Sequence, residues 1–215
     1  MKDDLIAEGL IGTDEAGKGD YFGPLVCAAC YVDSETYPIL LSEGVRDSKR
    51  LSNSRAFTLA RLIKANCPNN LIVILPAKYN QLYEEIHNVN RLLAWAHAKA
   101  IENLLARVDC QNVLSDQFGN ENLIQNALQE RGRQIKLIQR TKAEENIAVA
   151  AASILARDEF LRRLKALSEK FGLDLHPGAG APTDESLVNF VKMHGREKLS
   201  EVAKLHFKNT RKVLR

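Results

Sequence analysis

The 215-residue sequence has no apolar run of the roughly 20 residues that a membrane-spanning helix needs. Its N-terminus, MKDDLIAEG, is acidic and lacks the apolar core of a signal peptide. The expectation is a cytoplasmic protein with no membrane partner. Only four cysteines occur, too few and too scattered for a disulfide scaffold. Aromatic residues are scarce at 6%, with one Trp, which argues against a surface that stacks single-stranded bases. Neither sign of charge dominates, with 30 Lys and Arg against 27 Asp and Glu. A formal net charge of +3 on 27% charged residues excludes a disordered polyelectrolyte, and a pI near 8.6 leans only weakly toward an anionic partner. Internal repeats and low-complexity tracts are missing. No obligate interface is signalled, and a monomer is expected. With 45% hydrophobic residues, the chain can bury one sizeable core.

Cys27 and Cys30 form a CxxC, but no second pair exists to complete a zinc site. They lie in FGPLVCAACYV, an apolar run that reads as a buried strand. Residues three apart on a strand point to opposite faces, so the thiols diverge and are read as core cysteines.

The pattern along the chain alternates strands and helices. GLIGT (9–13) and Phe22–Val32 read as a hairpin, with a third strand at Leu71–Leu75. Between the second and third strands, Phe57, Leu59, Leu62 and Ile63 recur at helical spacing behind a candidate N-cap, Ser52 or Asn53. Asn90–Val108 carries the strongest helical stripe: Leu92, Leu93, Ala96, Ala100, Leu104 and Leu105. Trp95 and His97 lie on the same stretch, Trp95 read as core and His97 as a core or surface residue away from the acids. A short strand at Val113–Leu114 stops at Ser115-Asp116. Another helix follows, then a strand at Ile135–Ile138, then a long helix from about Glu145 to Phe171. This order predicts an α/β fold, a mixed sheet with helices on its faces. LDLHPGAGAP (173–182) is the clearest break and leads into short charged helices. The division expected is a core over 1–172 and a C-terminal helical extension over 173–215.

The chemistry concentrates where strands end. Asp14 and Glu15 close the first strand before Gly17-Lys18-Gly19; Asp116 closes another; Glu144 follows a third, with Glu145 as its alternative. A solvated turn explains any one of these. Three neighbouring strand ends each bearing a carboxylate instead build an oxygen-rich pocket suited to Mg²⁺ or Mn²⁺, and no soft His/Cys cluster competes. Two such ions roughly 4 Å apart would activate water and stabilise a leaving oxygen in phosphodiester hydrolysis.

Gly17-Lys18-Gly19-Asp20 lacks the GxxxxGK[ST] pattern and precedes a strand, so it is not a nucleotide-binding loop. Bare glycine backbone can instead touch a ribose 2′-hydroxyl, the group that separates RNA from DNA. Cations cluster at Arg46, Lys49 and Arg50, at Arg140 and Lys142, and along Lys204, Lys208, Arg211, Lys212 and Arg215. Any one cluster suits a solvated face. Beside an acidic metal pocket they suit phosphate contacts to a duplex.

These segments resemble one family. GTDEAGKGDYFGPL (12–25) is similar to the opening motif of bacterial ribonuclease HIII, the type 3 ribonuclease H. DSKRL (47–51), SDQF (115–118), KAE (142–144), AAASILAR (150–157) and EVAKLHF (201–207) follow in order. The GKG loop distinguishes type 3 from the sister ribonuclease HII, where an arginine is usual. The resemblance implies an RNase H-like fold with a five-stranded mixed sheet and C-terminal helices. It also implies an Mg²⁺- or Mn²⁺-dependent endonuclease that cuts the RNA strand of RNA/DNA hybrids, leaving 5′-phosphate and 3′-hydroxyl ends. Asp14, Glu15 and Asp116 match the family's metal ligands, and Glu144 matches the fourth, where sister enzymes carry aspartate. Gly17, Lys18 and Gly19 match the 2′-hydroxyl-contacting loop, and Ser48, Lys49, Lys142 and Ser153 match substrate-contacting positions. Type 3 enzymes usually carry an N-terminal domain similar to the TATA-binding protein; this sequence opens almost on the catalytic motif without it, and the expectation is either a shortened piece of a longer chain or a naturally short variant. The alternatives are a type 2-like junction ribonuclease cutting at single embedded ribonucleotides, a junction resolvase, which the glycine loop disfavours, and a non-catalytic nucleic-acid-binding module.

Overall fold

A computed structural model describes residues 4–45, 51–120 and 122–213. Five strands form one mixed sheet: β1 (Leu10–Ala16), β2 (Leu25–Val32), β3 (Asn69–Ile74), β4 (Asn112–Asp116) and β5 (Lys136–Arg140), in spatial order β3-β2-β1-β4-β5. β1 runs parallel to β4, pairing Ile11 with Val113 and Thr13 with Ser115. β4 runs parallel to β5, pairing Asn112 with Lys136 and Asp116 with Arg140. A strand covered on both faces reads as a continuous apolar run. β2 fits this, since seven of its eight residues are buried and only Tyr31 is partly exposed.

The helices are α1 (Asp4–Ala7), α2 (Thr36–Ser42), α3 (Asn53–Asn66), α4 (Pro76–Ile86), α5 (Val89–Leu105), α6 (Asn122–Ala127), α7 (Ile147–Phe171) and α8 (Ala181–His194). Ser52 caps α3 by accepting a hydrogen bond from the Arg55 N–H, and Asn88 does the same for α5 through Arg91. The chain divides into two compact units: residues 1–15, 27–72 and 88–158, and residues 16–26, 73–87 and 159–215.

In the first unit, α5 packs Ala94, Ala98, Ile101 and Leu104 into a cluster with Ile11 of β1, Ala29 of β2 and Val113 of β4. Every residue from Ile147 to Ala156 at the start of α7 is buried. The contact with β1 is so close that a Cβ on Gly12 would lie 2.1 Å from the Ala148 carbonyl carbon. The small-residue run AVAAAS therefore lets the α7 backbone lie directly against the strand that ends in Asp14 and Glu15.

Several boundaries moved. β1 extends through Ala16, so the two acids lie inside its last turn of pleat instead of beyond it. β3 and β5 are displaced by one or two residues. Phe22 lies outside β2 and forms an isolated antiparallel bridge with Ala203. Trp95 is 43% exposed, which corrects its core assignment. It shares the exposed line of α5 with Arg91 and Lys99, four residues to either side. Cys27 and Cys30 are fully buried and diverge as expected: Cys27 hydrogen-bonds His97, while Cys30 shares a hydrogen bond with Cys67. Among the described residues, no helix is long and apolar enough to cross a membrane.

Candidate active site

Because β1, β4 and β5 are parallel, their C-terminal ends share one edge of the sheet. Asp14 and Asp116 each sit one residue beyond the Thr13–Ser115 register pair, on strands that a parallel ladder holds about 4.8 Å apart. β5 ends at Arg140, and a 3₁₀ turn, Ala143–Glu145, follows. Asp116 Oδ1 accepts a hydrogen bond of 3.1 Å from the Ala143 N–H, which ties the end of β4 to the turn carrying Glu144. Glu144 is half-buried with its Oε2 atom buried, whereas Glu145 is exposed. Lys142, just before the turn, adopts φ +57°, a left-handed conformation uncommon for a residue with a side chain.

Asp14 Oδ1 accepts the Glu15 N–H at 2.8 Å, and its carboxylate also hydrogen-bonds Ser153 of α7. Ser153, expected from the resemblance as a substrate contact, thus lies on a candidate ligand. Desolvation first, and the Glu15 charge second, push the Asp14 carboxyl up to about 6. A carboxylate held that far above its usual range by burial and a like charge is one that a divalent cation would relieve.

Glu15 has the partner that sequence reading missed. His97, fully buried on α5, places Nε2 3.2 Å from Glu15 Oε2, Nδ1 2.7 Å from Thr13 Oγ1, and its ring 5.1 Å from that of Phe118. This corrects the expectation that His97 lies away from the acids. The Thr13 hydroxyl donates to the Ala28 carbonyl at 2.9 Å, so the contact between Thr13 and the imidazole is donated by Nδ1–H. A second proton on Nε2 then faces the Glu15 carboxylate. Burial opposes charge on the ring, but Cys27 and Glu15 outweigh it and raise its pKa to about 10. The available signal was position: His97 lies four residues after Leu93 and four before Ile101, both buried, and a buried imidazole needs two polar partners.

As they stand, no three His, Cys, Asp or Glu side chains among the described residues form a ready ion cage. The carboxylates are held by protein donors: Asp14 by Ser153 and the Glu15 N–H, Glu15 by His97, and Asp116 by the Ala143 N–H. The donor chemistry, carboxylate oxygen at one sheet edge, nevertheless fits a hard divalent cation.

The glycine loop belongs to the second unit. Gly17 has φ +87°, and a Cβ there would lie 2.1 Å from the Pro24 carbonyl oxygen. A Cβ on Gly19 would meet nothing within 4 Å, so this backbone is open to a ligand. Lys204 corrects the reading of the tail as a row of phosphate-contacting cations: it is fully buried, and its Nζ donates hydrogen bonds to the carbonyls of Asp20 and Gly23. Lys212 pairs with Asp184, while Lys208 and Arg211 are exposed. Arg46, Ser48, Lys49, Arg50 and Arg215 lie outside the described residues.

The profile of the Ribonuclease HII family matches residues 11–210. Ribonuclease HIII of Protochlamydia amoebophila (strain UWE25) is 41% identical over 204 residues, covering 95% of this chain and 68% of the relative. Ribonuclease HIII of Chlamydia caviae is 41% identical over 206 residues, covering 94% and 69%. The crystal structure of Bst-RNase HIII in complex with Mn²⁺ matches at a TM-score of 0.91 and 34% identity, over 99% of this chain and 71% of that one.

Proposed function

Since the chain belongs to the ribonuclease HII family, we propose that it hydrolyses the RNA strand of RNA/DNA hybrids with Mg²⁺ or Mn²⁺, leaving 5′-phosphate and 3′-hydroxyl ends. The observation that carries this reading is the shared edge of β1, β4 and β5, where the acid-bearing ends of β1 and β4 lie side by side and the turn carrying Glu144 follows β5. Asp14, Glu15, Asp116 and Glu144 would hold the ions, and the raised pKa of Asp14 supports a cation at this corner. Such ions supply activation of water and stabilisation of charge on the reacting phosphate. The protein's own part is orientation. Ser153 holds Asp14, His97 holds Glu15 and the Ala143 N–H holds Asp116.

The open backbone at Gly19 suits contact with a 2′-hydroxyl, and Gly17 to Gly19 are assigned that role. Ser48, Lys49 and Lys142 are assigned to the substrate. We take residues 1–172 as the catalytic core and 173–215 as an extension whose exposed Lys208 and Arg211 suit phosphates. The protein is further taken as a cytoplasmic monomer, in keeping with four free buried cysteines; sedimentation at assay concentration checks the oligomeric state.

A second reading, cutting at single embedded ribonucleotides, is favoured by the match to the Ribonuclease HII profile. One assay separates the readings: a labelled long hybrid, a duplex with one ribonucleotide and a four-way junction, each with Mg²⁺, Mn²⁺ or EDTA. Cleavage of the long hybrid that EDTA stops is expected. Binding unaffected by EDTA with no cleavage under either metal would overturn the enzyme reading.

A further inference from the structure

Lys204 is fully buried, yet it belongs to none of the groups assigned above. Its Nζ donates to the Asp20 carbonyl at 2.7 Å and the Gly23 carbonyl at 2.8 Å, so both ends of a four-residue segment converge on one nitrogen. The backbone around it is tied as well. The Lys204 N–H donates to the Tyr21 carbonyl and the Gly23 N–H to the Val202 carbonyl, both at 2.9 Å. On the other flank, the Tyr21 N–H reaches the Gly178 carbonyl at 2.8 Å, and the Gly178 N–H reaches Asp20 Oδ1 at 2.6 Å.

Residues 20–23 are thus clamped, and the glycine loop starts where the clamp ends. The Asp20 N–H returns to the Gly17 carbonyl at 3.4 Å, and Gly17 is confined by the Pro24 carbonyl. Only Gly19, between these fixed points, faces open space. We propose that Lys204 is a positioning residue for ribose recognition: by holding the Asp20 and Gly23 carbonyls it sets the Gly17–Gly19 backbone that meets the substrate's 2′-hydroxyl. This rests on the role given to the glycine loop under the proposed function.

An apolar side chain of the same length would fill this space without desolvating a cation, so the nitrogen is the informative part. Burial depresses the lysine pKa to about 7. Two carbonyls can accept from either the ammonium or the neutral amine, which retains two N–H donors. The clamp therefore does not depend on the charge.

The test uses the full chain, wild type and K204M, which keeps the stem and removes the donors. Substrates are an all-RNA hybrid and hybrids with one deoxynucleotide at successive positions around the cut. Wild type should lose roughly tenfold in kcat/KM at the position whose 2′-hydroxyl the loop contacts, about the worth of one good hydrogen bond. In K204M that penalty should shrink toward onefold, and kcat should fall more than KM rises. K204Q, with two N–H donors on a shorter stem, should recover part of the penalty; it is the variant read if K204M does not fold. Equal losses on every substrate, with the wild-type penalty preserved, would make Lys204 merely structural and overturn the inference. A wild type with no penalty anywhere would instead remove the loop's assigned role, and this inference with it.

Discussion

His97 Nε2 stands 3.2 Å from Glu15 Oε2, and the other ring nitrogen is committed to Thr13. The hydrogen-bond directions leave the ring protonated at both nitrogens when Glu15 is ionised. Removing the ring should let a candidate ligand rotate away. His97→Ala is expected to lower kcat by roughly 10–100-fold, the usual cost of losing a partner that orients a ligand. The KM for hybrid should stay near wild type, and the Mn²⁺ needed for half-maximal rate should rise. Unchanged Mn²⁺ dependence would show that Glu15 is oriented by something else.

The same ring makes a pH prediction. Its folded pKa, about 10, lies above the 6.5 of an unperturbed histidine. The stability it contributes is therefore fully present below pH 6.5 and is lost as pH rises through 10. Nitrogen-detected NMR at pH 8 should find both ring nitrogens of His97 protonated, while exposed His206 is neutral.

Asp14 shifts stability with the same sign, but in a lower pH window. Its folded pKa, about 6, exceeds the ordinary 3.8, so the folded chain binds the extra proton between those values and stability falls as pH rises from 4 to 6. Asp14→Asn should abolish cleavage yet stabilise the metal-free protein above pH 6, by about 1–3 kcal/mol at most. The gain should vanish below pH 4. Thermal melts in EDTA across this range check the sign, and added Mn²⁺ should stabilise wild type more than the variant.

Much of this site was legible because strand ends are marked twice, by apolar runs that stop and by acids that follow. Leu25–Val32 and the Leu92–Leu104 stripe announced a buried strand and a core helix for the same reason, since burial imposes their periods. What escaped depended on partners remote in sequence. Lys204 reads as one more surface cation until the Asp20 and Gly23 carbonyls, more than 180 residues earlier, are seen to surround it. α4 carries little sequence signal, since PAKYNQLYEEI shows little apolar stripe; its buried Tyr79 packs near His206 of the distant tail. Trp95 is exposed despite its hydrophobicity because it lies in line with Arg91 and Lys99 on the solvent side of α5.

Gly12 tests the packing beneath the acids. A Cβ there would lie 2.1 Å from the Ala148 carbonyl carbon and 2.3 Å from the Val149 nitrogen, both backbone atoms that cannot swing aside. Gly12→Ala should therefore push α7 off β1 and cost roughly 3 kcal/mol, at the upper end of overpacking effects. In a chain of this length that lowers Tm by ~6–12 °C. Activity should fall further than stability explains, because Ser153 on α7 moves away from Asp14. A melting temperature near wild type would mean the strand and helix separate easily.

Glu144 and Glu145 are adjacent, acidic and equally plausible from sequence, but their surroundings differ. Asp116 anchors the Ala143 N–H, and the next residue, Glu144, is half-buried with its Oε2 shielded; Glu145 is exposed. A carboxylate kept at the strand edge beside Asp116 is suited to a shared ion, whereas one in solvent is suited only to the surrounding field. Loss of a ligand oxygen removes several kcal/mol of transition-state stabilisation, so Glu144→Gln should slow single-turnover cleavage more than roughly a hundredfold. Glu145→Gln should change it by less than about threefold, as a surface charge does. The two variants differ from wild type by the same atoms and the same charge, so circular dichroism and hybrid binding should match for both. If Glu145→Gln were the inactive one, the fourth acid would be reassigned by one residue and the turn at Ala143 would have to open for the reaction.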